Sequence, residues 1–114
     1  MRRRIDLPDD FPQVICLCGS TRFADEFTRQ NLSLTLRGYI VLSIGAVVSD
    51  ASLGIAQDST TKKNLDDLHK RKIDLADKVL VLNVGGYVGS STKSEIEYAR
   101  SKDKPVEFTE PSST

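Results

Sequence analysis

The sequence predicts an α/β fold, a three-layer sandwich whose small parallel sheet has four to five strands in a flavodoxin-like or Rossmann-like arrangement. Short apolar runs alternate along the chain with segments of helical periodicity, which is typical of successive β-α-β units with right-handed crossovers. The first run is apolar at every position, as expected for a central parallel strand that is covered on both faces. We expect strands at residues 14–18, 39–44, 79–82 and 105–108.

Helices are expected between consecutive strands. The first begins after Ser20 or Thr21, either of which can serve as its N-cap, and Gly38 stands where the glycine that ends a helix is expected. The second covers about 59–76, and the third covers about 92–101. The inner face of the second helix is expected to carry Leu65, Leu68, Ile73 and Ala76, with His69 and Lys72 on or beside it.

The bulk composition fits one small domain. The chain has 114 residues, enough for a single core. We expect a flexible leader at 1–13, the domain at 14–108 and a tail at 109–114. Sixteen basic residues balance sixteen acidic ones, so the charge gives no basis for nucleic-acid binding. No apolar stretch approaches the roughly 20 residues of a membrane span, and no signal peptide is recognisable. We therefore expect a cytoplasmic protein with neither a membrane nor a nucleic acid as partner.

The only two cysteines, Cys16 and Cys18, lie in the first predicted strand. We expect their side chains to point to opposite faces of this strand and so not to form a disulfide. A C-x-C pair needs two further ligands to make a metal site. The favoured interpretation is therefore two buried thiols in a reducing cytosol, with no metal and no cofactor.

A small-residue turn connects the first strand to the first helix and is a candidate anion site. Gly19 lets the backbone approach a ligand closely, and the amides at the start of the helix favour a negative charge. Ser20 and Thr21 add hydroxyl groups, and Arg22 carries the planar guanidinium that suits phosphate. The structural alternative is an N-cap beside a surface arginine. Neither a dinucleotide fingerprint nor a Walker loop is present.

A second, glycine-rich turn at 85–91 follows the third strand and leads into a helix that carries Glu95 near its start. A carboxylate there lies at the carboxyl edge of the sheet, where open α/β folds bind their ligands. Substrate contacts are expected from Tyr87, Gly89, Ser91 and Thr92. The spacing Thr92-x-x-Glu95 also matches a capping box, and spacing alone favours this structural role for the glutamate.

His69, the only histidine, is the one side chain with an unperturbed pKa near neutrality. Near a carboxylate it can hold a charge or shuttle a proton. A lone histidine beside an apolar helix face is, however, more often a structural group. Both interpretations stay open at this stage.

Taken in order, these motifs resemble the nucleoside 2-deoxyribosyltransferase-like superfamily, which includes deoxyribosyltransferases and nucleoside-monophosphate N-glycosidases. The resemblance covers about residues 14–108. It is carried by Gly-Ser-Thr-Arg at 19–22, Ile-Asp-Leu-Ala-Asp at 73–77, the small-residue turn before Glu95, Tyr98-Ala99, and Lys-Pro-Val at 104–106.

The resemblance implies that Glu95 is the nucleophile and that Gly19, Ser20 and Arg22 hold the sugar phosphate. It also implies a homodimer. This chain departs from the family pattern at three positions: a glycine after the glutamate is replaced by Glu97, a tyrosine by Cys16, and a substrate-orienting aspartate by His69.

The sequence therefore predicts a nucleotide N-glycosidase or (deoxy)ribosyltransferase that cleaves the base–sugar bond of a nucleoside monophosphate. Glu95 would form a covalent glycosyl-enzyme, with His69 as the second acid/base group. Ser91 or Thr92 would help to hold the phosphate, and Tyr87 would contact the base. A non-catalytic nucleotide-binding module or sensor on the same fold is the main alternative, which the three departures favour. NAD glycohydrolase activity is a third.

Overall fold

The computed structural model describes residues 7–44 and 59–112, and of Ser59 it describes the backbone only. The first part of the expected leader (1–6) and the last two residues of the expected tail lie outside this range. Within it, no helix combines the length and the apolar character needed to cross a membrane.

The described residues form a four-stranded, entirely parallel sheet in the order β2-β1-β3-β4. The strands are β1 (Val14–Gly19), β2 (Ile40–Leu42), β3 (Lys78–Leu82) and β4 (Val106–Phe108). This confirms the predicted fold class, and the strand order is flavodoxin-like. In such a sheet the order reverses between β1 and β3, so the ligand-binding crevice is expected beyond the carboxyl ends of these two strands.

The helices are α1 (Ala24–Leu36), α2 (Ser59–Leu75) and α3 (Ser90–Ser101). A short 3-10 turn, Thr21–Phe23, precedes α1, and a second one, Val84–Gly86, follows β3. α1 packs on one face of the sheet, while α2 and α3 pack together on the other. The result is the predicted three-layer sandwich.

The two faces of β1 and β3 carry separate apolar cores. On the α1 side the buried residues are Ile15, Leu17, Phe27, Leu34 and Leu82. On the α2–α3 side they are Cys16, Cys18, Ile73, Ala76, Val79, Val81, Ile96 and Ala99. Both central strands are thus covered on both faces, which explains why their sequences lack the alternation of a half-exposed strand.

The predicted inner face of α2 is half wrong. Ile73 and Ala76 are buried as expected, but Leu65 is 40% and Leu68 56% exposed. The buried stripe instead runs through His69, which is only 7% exposed. Leu68 lies one residue, or about 100°, away from His69 around the helix and therefore misses the sheet. The lone histidine is consequently part of the interior and not beside it.

A hydrogen-bond network fixes the carboxyl end of β3. Asn83 is 1% exposed, and its Nδ2 donates to the Glu110 carbonyl at 3.0 Å. Its Oδ1 accepts from the Glu110 amide at 2.9 Å and from Thr109 Oγ1 at 3.2 Å. The Glu110 carboxylate in turn accepts from the Gly85 amide at 3.1 Å. These bonds hold the start of the second turn against the segment that follows β4.

Candidate functional site

The two predicted turns meet at the expected edge of the sheet. β1 and β3 are paired up to Gly19 and Leu82, so their ends are adjacent. The Arg22 guanidinium lies over the Tyr87 ring, with 4.1 Å from Cζ to the ring centroid. The Phe23 ring packs edge-on against the same tyrosine at 6.0 Å between centroids. Tyr87 therefore joins the second turn to the first through a cation–π contact and an aromatic contact.

The first turn has local structural reasons for its sequence. Ser20 caps the 3-10 turn, since its Oγ accepts from the Arg22 amide at 3.2 Å. At Gly19, an added Cβ would lie 3.2 Å from both the Cβ and the carbonyl oxygen of Leu82 and 3.4 Å from the Phe27 ring. A glycine avoids a tight contact here, where β3 and α1 approach β1 closely. α1 begins at Ala24, after the predicted start, because the 3-10 turn intervenes.

The second turn needs its glycines for two different reasons. Gly85 and Gly86 have φ values of 64° and 83°, in the left-handed region that side chains disfavour. At Gly89 an added Cβ would meet the Tyr87 hydroxyl at 3.2 Å. The absence of a side chain at Gly89 thus lets Tyr87 fold back over the start of α3.

Glu95 does not form the capping box that spacing alone favours. The N-cap of α3 is Gly89, whose carbonyl accepts from the Lys93 amide at 2.9 Å. Thr92 is therefore the third residue of the helix and not its cap. The helix begins two residues earlier than predicted because Gly89 and Ser90 already adopt the entry geometry. Glu95 is free of a capping role and points inward, 8% exposed, whereas Glu97 is exposed as expected.

Beneath the two turns lies a buried cluster of Cys16, Cys18, His69 and Glu95, hereafter the inner cluster. His69 Nε2 is 3.6 Å from Cys16 Sγ, 3.4 Å from Cys18 Sγ and 4.0 Å from Glu95 Oε1. The expectation that the two cysteines point to opposite faces is wrong, because side chains two residues apart in a strand share a face. Both thiols are free and fully buried, as expected.

The inner cluster shifts the pKa of each of its members. A hydrogen bond from Cys18 lowers the pKa of Cys16 to about 6, and His69 adds to this effect against the opposing effect of burial. The pKa of Cys18, which makes that hydrogen bond in a buried position, is raised well above its ordinary value. Burial disfavours a charged His69, but Cys16 and Glu95 outweigh it and raise the pKa of the imidazole. Burial raises the pKa of Glu95, although His69 and Cys18 act in the opposite direction.

The other predicted contacts at the same edge are divided between the surface and the interior. Ser91 Oγ accepts from Lys62 Nζ at 3.0 Å, which brings a cation from α2 to the start of α3. Thr92 is buried at 3% exposure, so its hydroxyl belongs to the interior of the helix layer. The sequence did not predict Lys62 or Phe23 at this edge. It also did not predict the cysteines as site residues, although the two-residue spacing in a strand was a sufficient signal.

Two cavities among the described residues lie elsewhere. One of about 390 Å³ lies between α1 and the end of β2, and one of about 260 Å³ lies between α1 and strands β3 and β4. Neither is lined by Glu95 or His69.

No family model, no curated protein and no solved structure matches this chain. The fold defines the class, an α/β protein with a flavodoxin-like parallel sheet. The site is defined by its own geometry: an exposed pair of turns joined at Tyr87, above a buried group of two thiols, one imidazole and one carboxyl.

Proposed function

We propose that the protein is a nucleotide N-glycosidase or (deoxy)ribosyltransferase that uses Glu95 to cleave the base–sugar bond of a nucleoside monophosphate. One observation carries the proposal: the Glu95 carboxyl lies near the start of α3, beside the crevice between β1 and β3, and has no capping role. A buried glutamate without a structural bond to its own helix needs another reason to be there. The resemblance to the nucleoside 2-deoxyribosyltransferase-like superfamily provides one.

In this proposal the exposed turns bind the nucleotide. The phosphate lies against the amides and hydroxyls of residues 19–21, paired with the Arg22 guanidinium. Tyr87 already holds that guanidinium in place, at 4.1 Å from its ring centroid, so little conformational freedom is lost on binding. Ser91, together with Lys62, adds a second polar contact for the phosphate.

The chemical step follows the two-stage pattern of a retaining glycosidase. A Glu95 carboxylate oxygen bonds to the anomeric carbon while the carbon–nitrogen bond to the base breaks. The electron pair of the broken bond leaves with the base, which takes up a proton. Water, or a second base, then attacks the anomeric carbon and releases the Glu95 carboxylate. His69, with Nε2 4.0 Å from Glu95 Oε1, is the group that gives the proton and takes it back.

A non-catalytic nucleotide-binding module is the second candidate, and one observation favours it. The Glu95 carboxyl is buried, with Oε1 4.0 Å from His69 Nε2, and it lines neither of the two cavities given above. The exposed contact of Arg22 with Tyr87 would then bind a nucleotide without any reaction at Glu95.

We further propose a homodimer, as the resemblance implies. An apolar stripe on α2 supports it: Leu65, Leu68 and Leu75 are 40%, 56% and 51% exposed and lie along one side of the helix. Sedimentation or light scattering of the purified protein measures its mass directly, and a monomer at assay concentrations would contradict this part of the proposal.

Base release tests the function. The protein is incubated with ribo- and deoxyribonucleoside monophosphates, the matching nucleosides and NAD, and free base is measured by liquid chromatography. We expect free base from a monophosphate, lost in Glu95→Gln and retained in Glu97→Gln, the exposed glutamate two residues further along the same helix. Thermal stabilisation by a nucleotide without release of any base would favour the binding module. Release from NAD alone would favour an NAD glycohydrolase.

A further inference from the structure

We infer that Cys16, Cys18 and His69 bind a zinc-class divalent metal ion, with Glu95 in reach of the fourth coordination position. The inference does not rest on the proposed N-glycosidase activity. It goes beyond that activity by giving the inner cluster a ligand of its own, and while the ion is bound it excludes the acid–base role of His69 and the nucleophilic role of Glu95 proposed above. It also reverses the expectation from sequence that the C-x-C pair lacks partners, since the fold supplies two further ligand groups at the pair.

The possible ligand atoms of the inner cluster lie close together. The Sγ and Nε2 atoms of the three residues all lie within 4.8 Å of one another. Tetrahedral zinc, with bonds of about 2.3 Å to sulfur and about 2.0 Å to nitrogen, places sulfur and nitrogen ligands about 3.5 Å apart. The two sulfur-to-Nε2 distances here are 3.6 and 3.4 Å. Two of the three ligand-to-ligand distances thus already match those of tetrahedral zinc, and the two sulfur atoms lie within 4.8 Å of each other.

The polar atoms of the inner cluster converge on one nitrogen. Cys16 Sγ, Cys18 Sγ and Glu95 Oε1 all approach the same nitrogen, Nε2 of His69. A catalytic relay uses the two ring nitrogens for two different partners. One nitrogen can donate or accept along one direction only, so it cannot serve three partners well. A cation at the centre of the four atoms satisfies all of them at once.

The sulfur and nitrogen atoms of the inner cluster are ligands of the kind that zinc prefers. Two thiolates and an imidazole suit zinc and other borderline or soft ions and are poor ligands for magnesium or calcium. Both cysteines are 0% exposed, and the His69 and Glu95 side chains are 8% and 11% exposed. Once metal binding has deprotonated the two thiols, the buried thiolates and the carboxylate need a compensating positive charge. The ion would supply it and would tie β1 to α2 and α3.

Glu95 completes the coordination with a small movement. Its Oε1 is 4.0 Å from His69 Nε2. A tetrahedral zinc site places nitrogen and oxygen ligands about 3.3 Å apart, so the flexible glutamate side chain has to move by roughly 0.7 Å. A metal-bound His69 Nε2 cannot also transfer a proton. The ligand role and the acid–base role of this histidine therefore exclude each other.

Metal content and metal binding of the full-length wild-type protein test the inference directly. Protein expressed with added zinc is analysed by mass spectrometry of the elements, and metal-free protein is titrated with Zn²⁺ against a chromophoric chelator. We expect one zinc ion per chain. Titration with Co²⁺ is expected to give a thiolate-to-cobalt charge-transfer band and the intense visible bands of tetrahedral cobalt. Substoichiometric zinc without saturable binding, or cobalt binding without the thiolate band, would overturn the inference.

Variants then assign the ligands. Cys16→Ser, Cys18→Ser and His69→Gln should each lower zinc affinity by at least about a hundredfold, since the loss of a group that only supports a ligand already costs about 10- to 100-fold. Glu95→Gln should weaken binding, while its matched control Glu97→Gln should not. Unchanged affinity in all three ligand variants would also overturn the inference. None of these readouts depends on base release, so metal binding and the proposed activity can fail separately.

Discussion

The outer turns and the inner cluster share one edge of the sheet but are built in opposite ways. The outer contact of Arg22 with Tyr87 lies between two exposed side chains. The inner cluster is buried and brings three reactive groups, two thiols and one carboxyl, around one nitrogen of His69. The first arrangement suits a ligand that comes and goes. The second suits a bond or an ion that has to be held in a fixed place.

In the proposed function, the outer turns bind the ligand and the inner cluster carries out the chemistry. Solvent weakens the electrostatic interactions of exposed groups, whereas buried groups interact strongly and are costly to leave unpaired. Changes to the outer turns should therefore alter ligand affinity with little effect on stability. Changes to the inner cluster should alter reactivity, metal binding or both.

The largest expected effect is that of Glu95→Gln on turnover. The amide keeps the shape of the side chain but cannot form the glycosyl ester, so kcat for base release should fall by at least about a thousandfold. KM should change little, because the phosphate contacts lie in the outer turns. Steady-state kinetics on the substrate identified by base release measure both constants.

Glu97→Gln is the matched control for this prediction, with kcat expected within about twofold of the wild type. A Glu95→Gln protein that keeps its kcat would remove the glutamate from the chemistry and with it the assignment of the inner cluster.

The next largest effect is that of Arg22→Gln on affinity. Loss of a charge-assisted contact to phosphate should raise KM for the nucleoside monophosphate by roughly 10- to 100-fold. The corresponding nucleoside, which has no phosphate, should be unaffected. Arg29→Gln is the control, since this exposed arginine pairs with Glu26 on α1. An equal loss for nucleotide and nucleoside would mean that Arg22 acts on the fold of the turn and not on the phosphate.

The sequence predicted the fold well because the signals for it are local. Apolar runs mark β1 and β3, and the strand-to-helix alternation implies a parallel sheet. The inner cluster was harder, because it depends on which faces meet. Cys16 and Cys18 come from a strand, and His69 from a helix more than fifty residues away. Only the orientation of α2 on the sheet brings them together.

The error about α2 has the same cause. Hydrophobicity predicts Leu65 and Leu68 on its inner face, yet the helix turns His69 inward instead. The apolar pattern places His69 on or beside the inner face and does not decide between the two, because histidine is intermediate in burial and its polar partners are not known from the sequence. The predicted start of α3 also differs from the observed start, by less, because Gly89 and not Thr92 is the N-cap of this helix.

A smaller effect is expected on stability from Gly19→Ala. The new methyl group would press against the Cβ and carbonyl oxygen of Leu82 at 3.2 Å, where β1 is paired with β3. Overpacking of this kind costs about 1–3 kcal/mol in the free energy of unfolding. Urea denaturation followed by circular dichroism measures it.

Gly89→Ala is the comparison for Gly19→Ala. It meets only the end of the movable Tyr87 side chain, at 3.2 Å from the hydroxyl, and should cost less than about 1 kcal/mol. Equal costs for the two variants would show that the surroundings of Gly19 are no more rigid than those of Gly89.

The smallest effect is expected from Ser91→Ala. Its hydrogen bond from Lys62 is exposed, and Lys62 also pairs with Asp66 at 3.2 Å, so the free energy of unfolding should change by no more than about 0.5 kcal/mol. If Ser91 holds the phosphate, KM for the monophosphate should still rise by about two- to tenfold, as expected for one neutral hydrogen bond. Lys62→Gln should follow the same pattern, because it loses the cation at the same contact. A fall in stability with unchanged KM in both variants would reverse the division of roles, since this outer contact would then support the fold and not the ligand.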